Sequence, residues 1–242
     1  MACDPETLYL GRNGKPVERI SILRNGKPEI AIVKYLTNYE NIGREAWVYE
    51  SILARLSTLR FPELLSVSNT TDPESYWLLF EDLGNLTHSF EADFLCRVAS
   101  LMPQWHLLPA ALVPDLYEGH TPKLQPVHLE LASRQSELRS VLLDLHLDTH
   151  LIDRLLNGML QEDPDRIAGQ NVICHGDLNP LNISFKEQQL IVFDWEYIQR
   201  NSVFWDLFNL IDITSPVYRR KVLDIDARCR ILTAYIDERK KN

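Results

Sequence analysis

The apolar positions divide the chain into a strand-rich beginning and a helix-rich remainder. Three short runs, Glu6–Gly11, Val17–Leu23 and Ile30–Leu36, read as strands. The period then changes: Ala46, Tyr49, Ile52, Leu53 and Leu56 recur at helical spacing and predict a helix over Ile42–Leu56. Phe61-Pro62 breaks the chain, and Leu64–Val67 and Tyr76–Phe80 read as a strand pair around the polar turn Asn69–Ser75. Glu91–Leu108 carries apolar residues at Phe94, Leu95, Val98, Leu101, Met102 and Trp105, and Pro103 is expected to kink this helix or mark its last turn. Residues 109–127, rich in Pro and Gly, read as an irregular connection. His128–Leu160 reads as two helices or one long bent one. Apolar runs at Val172–Cys174 and Leu190–Phe193 predict a strand–loop–strand hairpin, and Val203–Ile211 and Val217–Ile236 complete the pattern as helices.

One pentapeptide, RNGKP, occurs twice, at Arg12–Pro16 and Arg24–Pro28. Asn-Gly between apolar strands is a hairpin signal, because both central residues tolerate positive φ. Nothing continues the repeat, so two similar turns are expected and not a solenoid.

Composition adds limits. A chain of 242 residues with 45% hydrophobic and 24% charged residues is ordinary for a globular protein of one domain, or one domain with two lobes. It has no apolar run of membrane-spanning length and no basic-then-apolar leader, so a cytoplasmic protein is expected, with no membrane partner. Cys3, Cys96, Cys174 and Cys229 are scattered without C-x-x-C spacing and read as reduced thiols, Cys174 as core packing. His146 and His150 stand at i, i+4, but no third ligand matches them, so no metal site is expected there. A net charge of −9 argues against nucleic acid as a partner, and a solvated acidic surface explains it sufficiently.

The chemistry concentrates in Val172–Glu196, VICHGDLNPLNISFKEQQLIVFDWE. His175, Asp177, Asn179 and Asn182 fall in the loop after an apolar run, and Asp194 ends the next one. Any one of them alone would be an unremarkable polar turn residue. Together, Asn182 and Asp194 are hard oxygen ligands suited to Mg²⁺, and Asp177 is placed to accept a proton from a hydroxyl.

H-G-D-L-N-P-L-N followed by I-V-F-D-W-E resembles the catalytic loop and metal strand of the aminoglycoside phosphotransferase and choline kinase superfamily, small-molecule kinases with a protein-kinase-like fold. The resemblance implies an α+β, two-lobed fold. A small antiparallel β-sheet N-lobe (residues 1–82) would bind nucleotide, and a mainly helical C-lobe (residues 83–242) would carry catalysis and substrate binding. It implies Asp177 as the base, with His175 bracing the loop and Asn179 beside them in the catalytic group, and Asn182 and Asp194 as Mg²⁺ ligands. Lys34 matches the lysine that holds the ATP phosphates, and Glu45, preferred over Glu50, its partner. WLLFEDLG resembles the hinge, whose backbone from Glu81 to Leu83 would meet the adenine edge. Gly11, Asn13, Gly14 and Lys15 in the first turn would lie over the phosphates, although a plain exposed hairpin is an equal reading. Asp206 matches a buried Asp that accepts hydrogen bonds from the catalytic loop. Glu196 would face either a substrate amine or the metal's surroundings, and His106 would be structural.

The expected function is therefore ATP- and Mg²⁺-dependent phosphorylation of a hydroxyl on a small molecule, with amino-alcohols or aminoglycosides favoured. The alternative is a pseudokinase acting as a regulatory or partner-binding protein, but the intact set of Lys34, Asp177, Asn182 and Asp194 argues against it. H-G-D in place of H-R-D, and no A-P-E segment after Asp194, argue against a protein kinase. The helical insert is modest, so the acceptor pocket would be open, or completed by a partner or a second copy in a homodimer.

Overall fold

A computed structural model describes residues 5–11, 13–56, 59–117, 124–161, 171–187, 189–213, 220 and 222–241. The first lobe is a five-stranded sheet of β1 (Glu6–Leu10), β2 (Pro16–Arg24), β3 (Lys27–Tyr35), β4 (Leu64–Val67) and β5 (Trp77–Glu81), all pairs antiparallel, in the order β1-β2-β3-β5-β4. One helix, α1 (Arg44–Ser51), packs beside it and ends earlier than its apolar spacing predicts, giving way to a 3₁₀ turn at Leu53–Arg55. Leu36, Tyr76, Leu78 and Phe80 form a small core, with Ile32, Ala46 and Tyr49 packed against it.

The two RNGKP copies fold differently. In the second, Arg24 pairs with Lys27 and the central Asn25 and Gly26 have φ of 52° and 73°, a tight turn that matches the right-handed twist of the strands. In the first, β1 ends at Leu10 and β2 begins at Pro16, so the connection is wider. Gly11 N–H donates to the Lys15 carbonyl (2.8 Å), and the Asn13 side chain accepts from Lys15 N–H (3.1 Å) and donates to the Leu36 carbonyl (2.9 Å). The expectation of two similar turns therefore fails: contact with the end of β3 reshapes one of them.

The second lobe contains α2 (Ala92–Leu101), α3 (Pro103–His106), α4 (Leu124–Ser133), α5 (Gln135–Asp144), α6 (Thr149–Gln161), α7 (Val203–Ile211) and α8 (Ile225–Arg239). Pro103 opens α3, where its missing N–H costs nothing. The stretch expected as one or two helices is three, and the last residues of the expected irregular connection already belong to α4. His146 sits between α5 and α6 with φ 58°, so it shares no helical face with His150. The last helix begins at Ile225 under an Asp224 cap, whose carboxylate accepts from Ala227 N–H (2.8 Å); residues 217–219 of its expected start lie outside the described residues.

Four short strands complete this lobe. β6 (Asn171–Cys174) pairs with β9 (Gln199–Ser202), and β7 (Ile183–Lys186) with β8 (Gln189–Val192). The expected hairpin between Val172–Cys174 and Leu190–Phe193 is thus corrected. The apolar run at 190 pairs with Ile183–Lys186, a segment whose shorter apolar pattern hid it.

The main core surrounds Trp195, the residue after Asp194. Trp195 is fully buried. Its ring lies edge-on to Trp105 (5.8 Å) and Phe61 (6.1 Å) and tilted over His175 (4.5 Å), and its Nε1–H donates to the Val192 carbonyl (3.2 Å). Replacing it leaves a large void under the site. Trp195→Ala is expected to destabilise the fold by about 3–5 kcal/mol, read from urea unfolding; a loss under about 1 kcal/mol would mean that the core closes over the gap.

Candidate active site in the cleft between the lobes

β6 ends at Cys174 and delivers His175-Gly176-Asp177 into the cleft. Gly176 has φ +89°, and a Cβ there would collide with the Tyr197 carbonyl, so the turn accepts no larger residue. His175 is fully buried; one ring nitrogen meets the Phe193 carbonyl (3.1 Å) and the other accepts from Asp177 N–H (3.2 Å). Its ring is closed off from any ligand, so its part is to position Asp177, not to join the chemistry. Asn179 and Asn182 both turn their amide nitrogens to the Asp177 carboxylate, each at 3.1 Å. Asn179 also caps the 3₁₀ turn Pro180–Asn182 by accepting from Leu181 N–H (2.9 Å). With its nitrogen committed to Asp177, Asn182 has its carbonyl oxygen as the end suited to a cation.

Beneath the loop lies Asp206, on α7, with no exposed surface. Its carboxylate accepts from His175 N–H (2.9 Å), Gly176 N–H (3.1 Å), Trp105 Nε1–H (3.1 Å) and the His106 ring (3.1 Å). Tyr235 on α8 holds the other ring nitrogen of His106 at 3.1 Å. Burial alone would push the Asp206 carboxyl up, but the His106 hydrogen bond, helped by His175, outweighs it and holds the group below its ordinary value. The structural roles expected for Asp206 and His106 are those observed. Cys174, also fully buried, brings a third ligand-type atom within 4.8 Å of these two. Its thiol donates to the Ser202 carbonyl (3.4 Å), and burial pushes its pKa well up.

Across the cleft, Lys34 on β3 donates to Glu45 on α1 (2.7 Å) and to Asp194 (2.5 Å). Burial opposes its charge, but Asp194 and Glu45, with Glu196 behind them, raise its pKa well above the ordinary lysine value. Glu50, the other glutamate considered, is exposed. Asp194 has φ 66°, a left-handed conformation uncommon outside glycine. Glu196 turns away from open solvent to accept from Thr37 Oγ (3.0 Å) and Asn38 Nδ2 (2.9 Å), and burial raises its pKa to about 7. Sequence reasoning missed Thr37 and Asn38; the signal was two polar residues directly after the apolar Lys34 strand.

These groups open onto a cleft of about 600 Å³. Lys34, Glu45, Glu81, Leu83, Asp177, Asn179, Asn182 and Asp194 all line it. Its walls include apolar residues: Val17, Ile32 and Phe80 from the sheet, Leu181 and Phe193 from the second lobe, and Tyr49, its ring tilted against Phe80 (5.4 Å between centroids). Leu8 and Tyr9, exposed on the edge strand β1, line it as well; nothing in the sequence singled them out. At the hinge, the Leu83 carbonyl accepts from Lys186 (2.6 Å), while Asp82 pairs with Arg19 (2.7 Å). Gly14 lies outside the lining, exposed at the turn, and Lys15 reaches the Glu74 side chain (3.0 Å), not the cleft. Lys15, expected with Gly11, Asn13 and Gly14 over the phosphates, is held at the β4–β5 connection by Glu74.

The residues present fit a nucleotide with a hard divalent cation. One lysine facing Glu45, Asp194 and Glu196 leaves a local excess of negative charge, and Asn182 and Asp194 supply oxygen donors beside it. The apolar walls of the cleft suit a flat base, and the cleft's volume is that of a small-ligand site.

The fold and cleft together are those of a two-lobed, kinase-like α+β protein. Among solved structures it is similar to a choline kinase from Cryptosporidium parvum (TM-score 0.59, 13% identity, 99% of this chain and 74% of that one). It is equally similar to an aminoglycoside phosphotransferase from Alicyclobacillus acidocaldarius (TM-score 0.59, 12% identity, 99% and 74%). A third is an APH(2")-IIa enzyme solved with streptomycin and ATP (TM-score 0.55, 15% identity, 99% and 81%). No curated protein matches in a sequence comparison. The model of the phosphotransferase enzyme family matches residues 42–236, and the chain belongs to that family.

Asp206→Ala would orphan two backbone N–H groups and two ring donors at once, and is expected to cost about 3–5 kcal/mol. Because the native carboxyl titrates below its unfolded value, this stability is fully present above the unfolded pKa of about 3.9 and is lost as the pH falls through the native one. Urea unfolding of wild type and variant between pH 7 and pH 2 should show their stabilities converging at the acid end. A gap that stays constant over that range would rule out the ionised carboxylate as its source.

Proposed function

We propose that the protein is a Mg²⁺- and ATP-dependent kinase that phosphorylates a hydroxyl group of a small molecule. One observation carries the reading: Lys34, more than 140 residues away in sequence, meets Asp177, Asn182 and Asp194 in a single cleft with apolar walls. Membership of the phosphotransferase enzyme family supports the reaction class. The similar structures solved with ATP and with ADP support a purine nucleotide.

On this reading the apolar walls of Val17, Ile32 and Phe80 sandwich the base, and Lys34 holds phosphate oxygens. A bound Mg²⁺ supplies charge neutralisation to the transferring phosphoryl group. Asn182 and Asp194 would hold it, and Asp194 would then share its carboxylate between the cation and Lys34. Asp177 orients the acceptor hydroxyl and takes its proton as the new bond to the γ-phosphorus forms and the bond from that phosphorus to the β-phosphate oxygen breaks, releasing ADP. Asn179 and Asn182 keep the Asp177 carboxylate aimed, so little of the barrier is spent on reorganising it. Phosphoryl transfer asks mainly for position and charge, and these residues supply both. A hydroxylated amine, such as an amino-alcohol or aminoglycoside, is the favoured acceptor; two of the similar structures contain streptomycin and gentamicin.

The test is ATP consumption with Mg²⁺ over a panel of amino-alcohols, aminoglycosides, sugars and other hydroxylated metabolites. One class should stimulate turnover. Asp177→Ala should lower that turnover by at least about a hundredfold while nucleotide binding stays close to wild type. Asp194→Ala should weaken Mg-ATP binding as well. Asp177→Ala working at the wild-type rate would remove the base, and failure of wild type to bind Mg-ATP would remove the kinase.

A further inference from the structure

We propose that Glu196 is a positioning residue: through Thr37 and Asn38 it fastens the chain just after β3, on which the turn between β1 and β2 rests, to the segment that carries Asp194, so that the two members of the Lys34–Asp194 pair hold one geometry. The inference rests on the kinase reading for its consequence, but its structural part stands on contacts alone. Glu196 is 5% exposed, and both its carboxylate oxygens receive the Thr37 hydroxyl, at 3.0 and 3.3 Å. Asn38 Nδ2 donates to the same carboxylate (2.9 Å) and also meets the Tyr197 hydroxyl. Thr37 and Asn38 come just after the strand of Lys34 in the first lobe, one residue beyond its end, whereas Glu196 and Tyr197 follow Asp194 in the second with Trp195 between. The link therefore crosses between lobes, two to four residues from each member of the Lys34–Asp194 ion pair.

The first turn rests on the same point. A Cβ at Gly11 would stand 2.7 Å from the Thr37 methyl group, so glycine allows the turn to sit directly on Thr37. Asn13 ties the turn to the neighbouring Leu36 carbonyl (2.9 Å). On its other side the 196–197 segment touches the base loop, where the Tyr197 carbonyl fills the space a side chain at Gly176 would need. One short segment thus touches the turn's support, the ion pair and the loop of Asp177. A residue there needs to accept hydrogen bonds from both Thr37 and Asn38 while almost fully buried, which a carboxylate or a carboxamide oxygen does and a methyl group does not.

Two measurements on Glu196→Gln, Glu196→Ala and Thr37→Val test this. The first is hydrogen exchange of the 11–15 and 36–38 amides without ligand. Glu196→Ala and Thr37→Val should each speed exchange in the 11–15 turn by about tenfold, the loss expected for a hydrogen bond to a charged group, and the double variant should be no faster than Glu196→Ala. Glu196→Gln should stay within about threefold of wild type, since its oxygen still accepts from Thr37 and Asn38. The second is calorimetric binding of Mg-ATP, where the same ranking should appear in affinity. Unchanged exchange in Glu196→Ala, or Glu196→Gln as damaged as Glu196→Ala, would overturn the proposal; the latter would mean that the charge acts and not the fastening. If Glu196→Ala fails to fold, Thr37→Val gives the same reading, because it removes only the hydroxyl. Wild type that does not bind Mg-ATP would defeat the kinase reading and leave the exchange experiment to decide the fastening.

Discussion

A buried carboxylate with four donors around it sets the geometry of the second lobe. Asp206 draws the two N–H groups that open the loop of Asp177, the Trp105 indole and the His106 ring to one point. Ionised carboxylates are costly to bury, and only a full set of donors makes the position tenable. That requirement works in reverse as a constraint on the loop: His175 and Gly176 must present their N–H groups downward, which turns the Asp177 side chain up into the cleft. Helices α3, α7 and α8 meet at the same point, so the packing of three helices and the aim of one carboxylate are a single arrangement.

The other lobe is joined to this arrangement by charge. Lys34 stands between Glu45 of its own lobe and Asp194 of the other, and its high pKa reflects their sum against burial. Such a pair is weak evidence for stability, since desolvation consumes much of the attraction. Its value is geometric. It fixes the distance between the sheet and the Asp194 strand end, and it leaves a negative surplus at the mouth of the cleft.

The reactive loop was legible in the sequence because its residues are chemically distinctive and lie within one short stretch. Lys34 and Glu45 were legible only through the family resemblance, and the structure pairs them at 2.7 Å. What escaped was set by contacts between distant segments. The pairing of β6 with β9 could not be read, since Gln199–Ser202 is polar and has no strand period of its own. The same five residues, RNGKP, made one tight turn and one wide one because only the first touches the end of β3. The walls of the cleft, Leu8 and Tyr9 included, look like any strand residues until the lobes face each other.

Asp194 carries a consequence of its own. Its backbone lies where glycine would rest without strain and an L-residue gives up about 1 kcal/mol. Glycine has no carboxylate, and the position that best suits the backbone is therefore barred by the chemistry. Trp195 next door, locked among aromatic rings, supplies the packing that keeps this conformation from relaxing. Glycine here would relieve that strain but strip the part-buried Lys34 of one of its two carboxylate partners, so a gain of about 1 kcal/mol in the backbone stands against the larger cost of breaking that pair, and the strained residue is the one the ion pair selects.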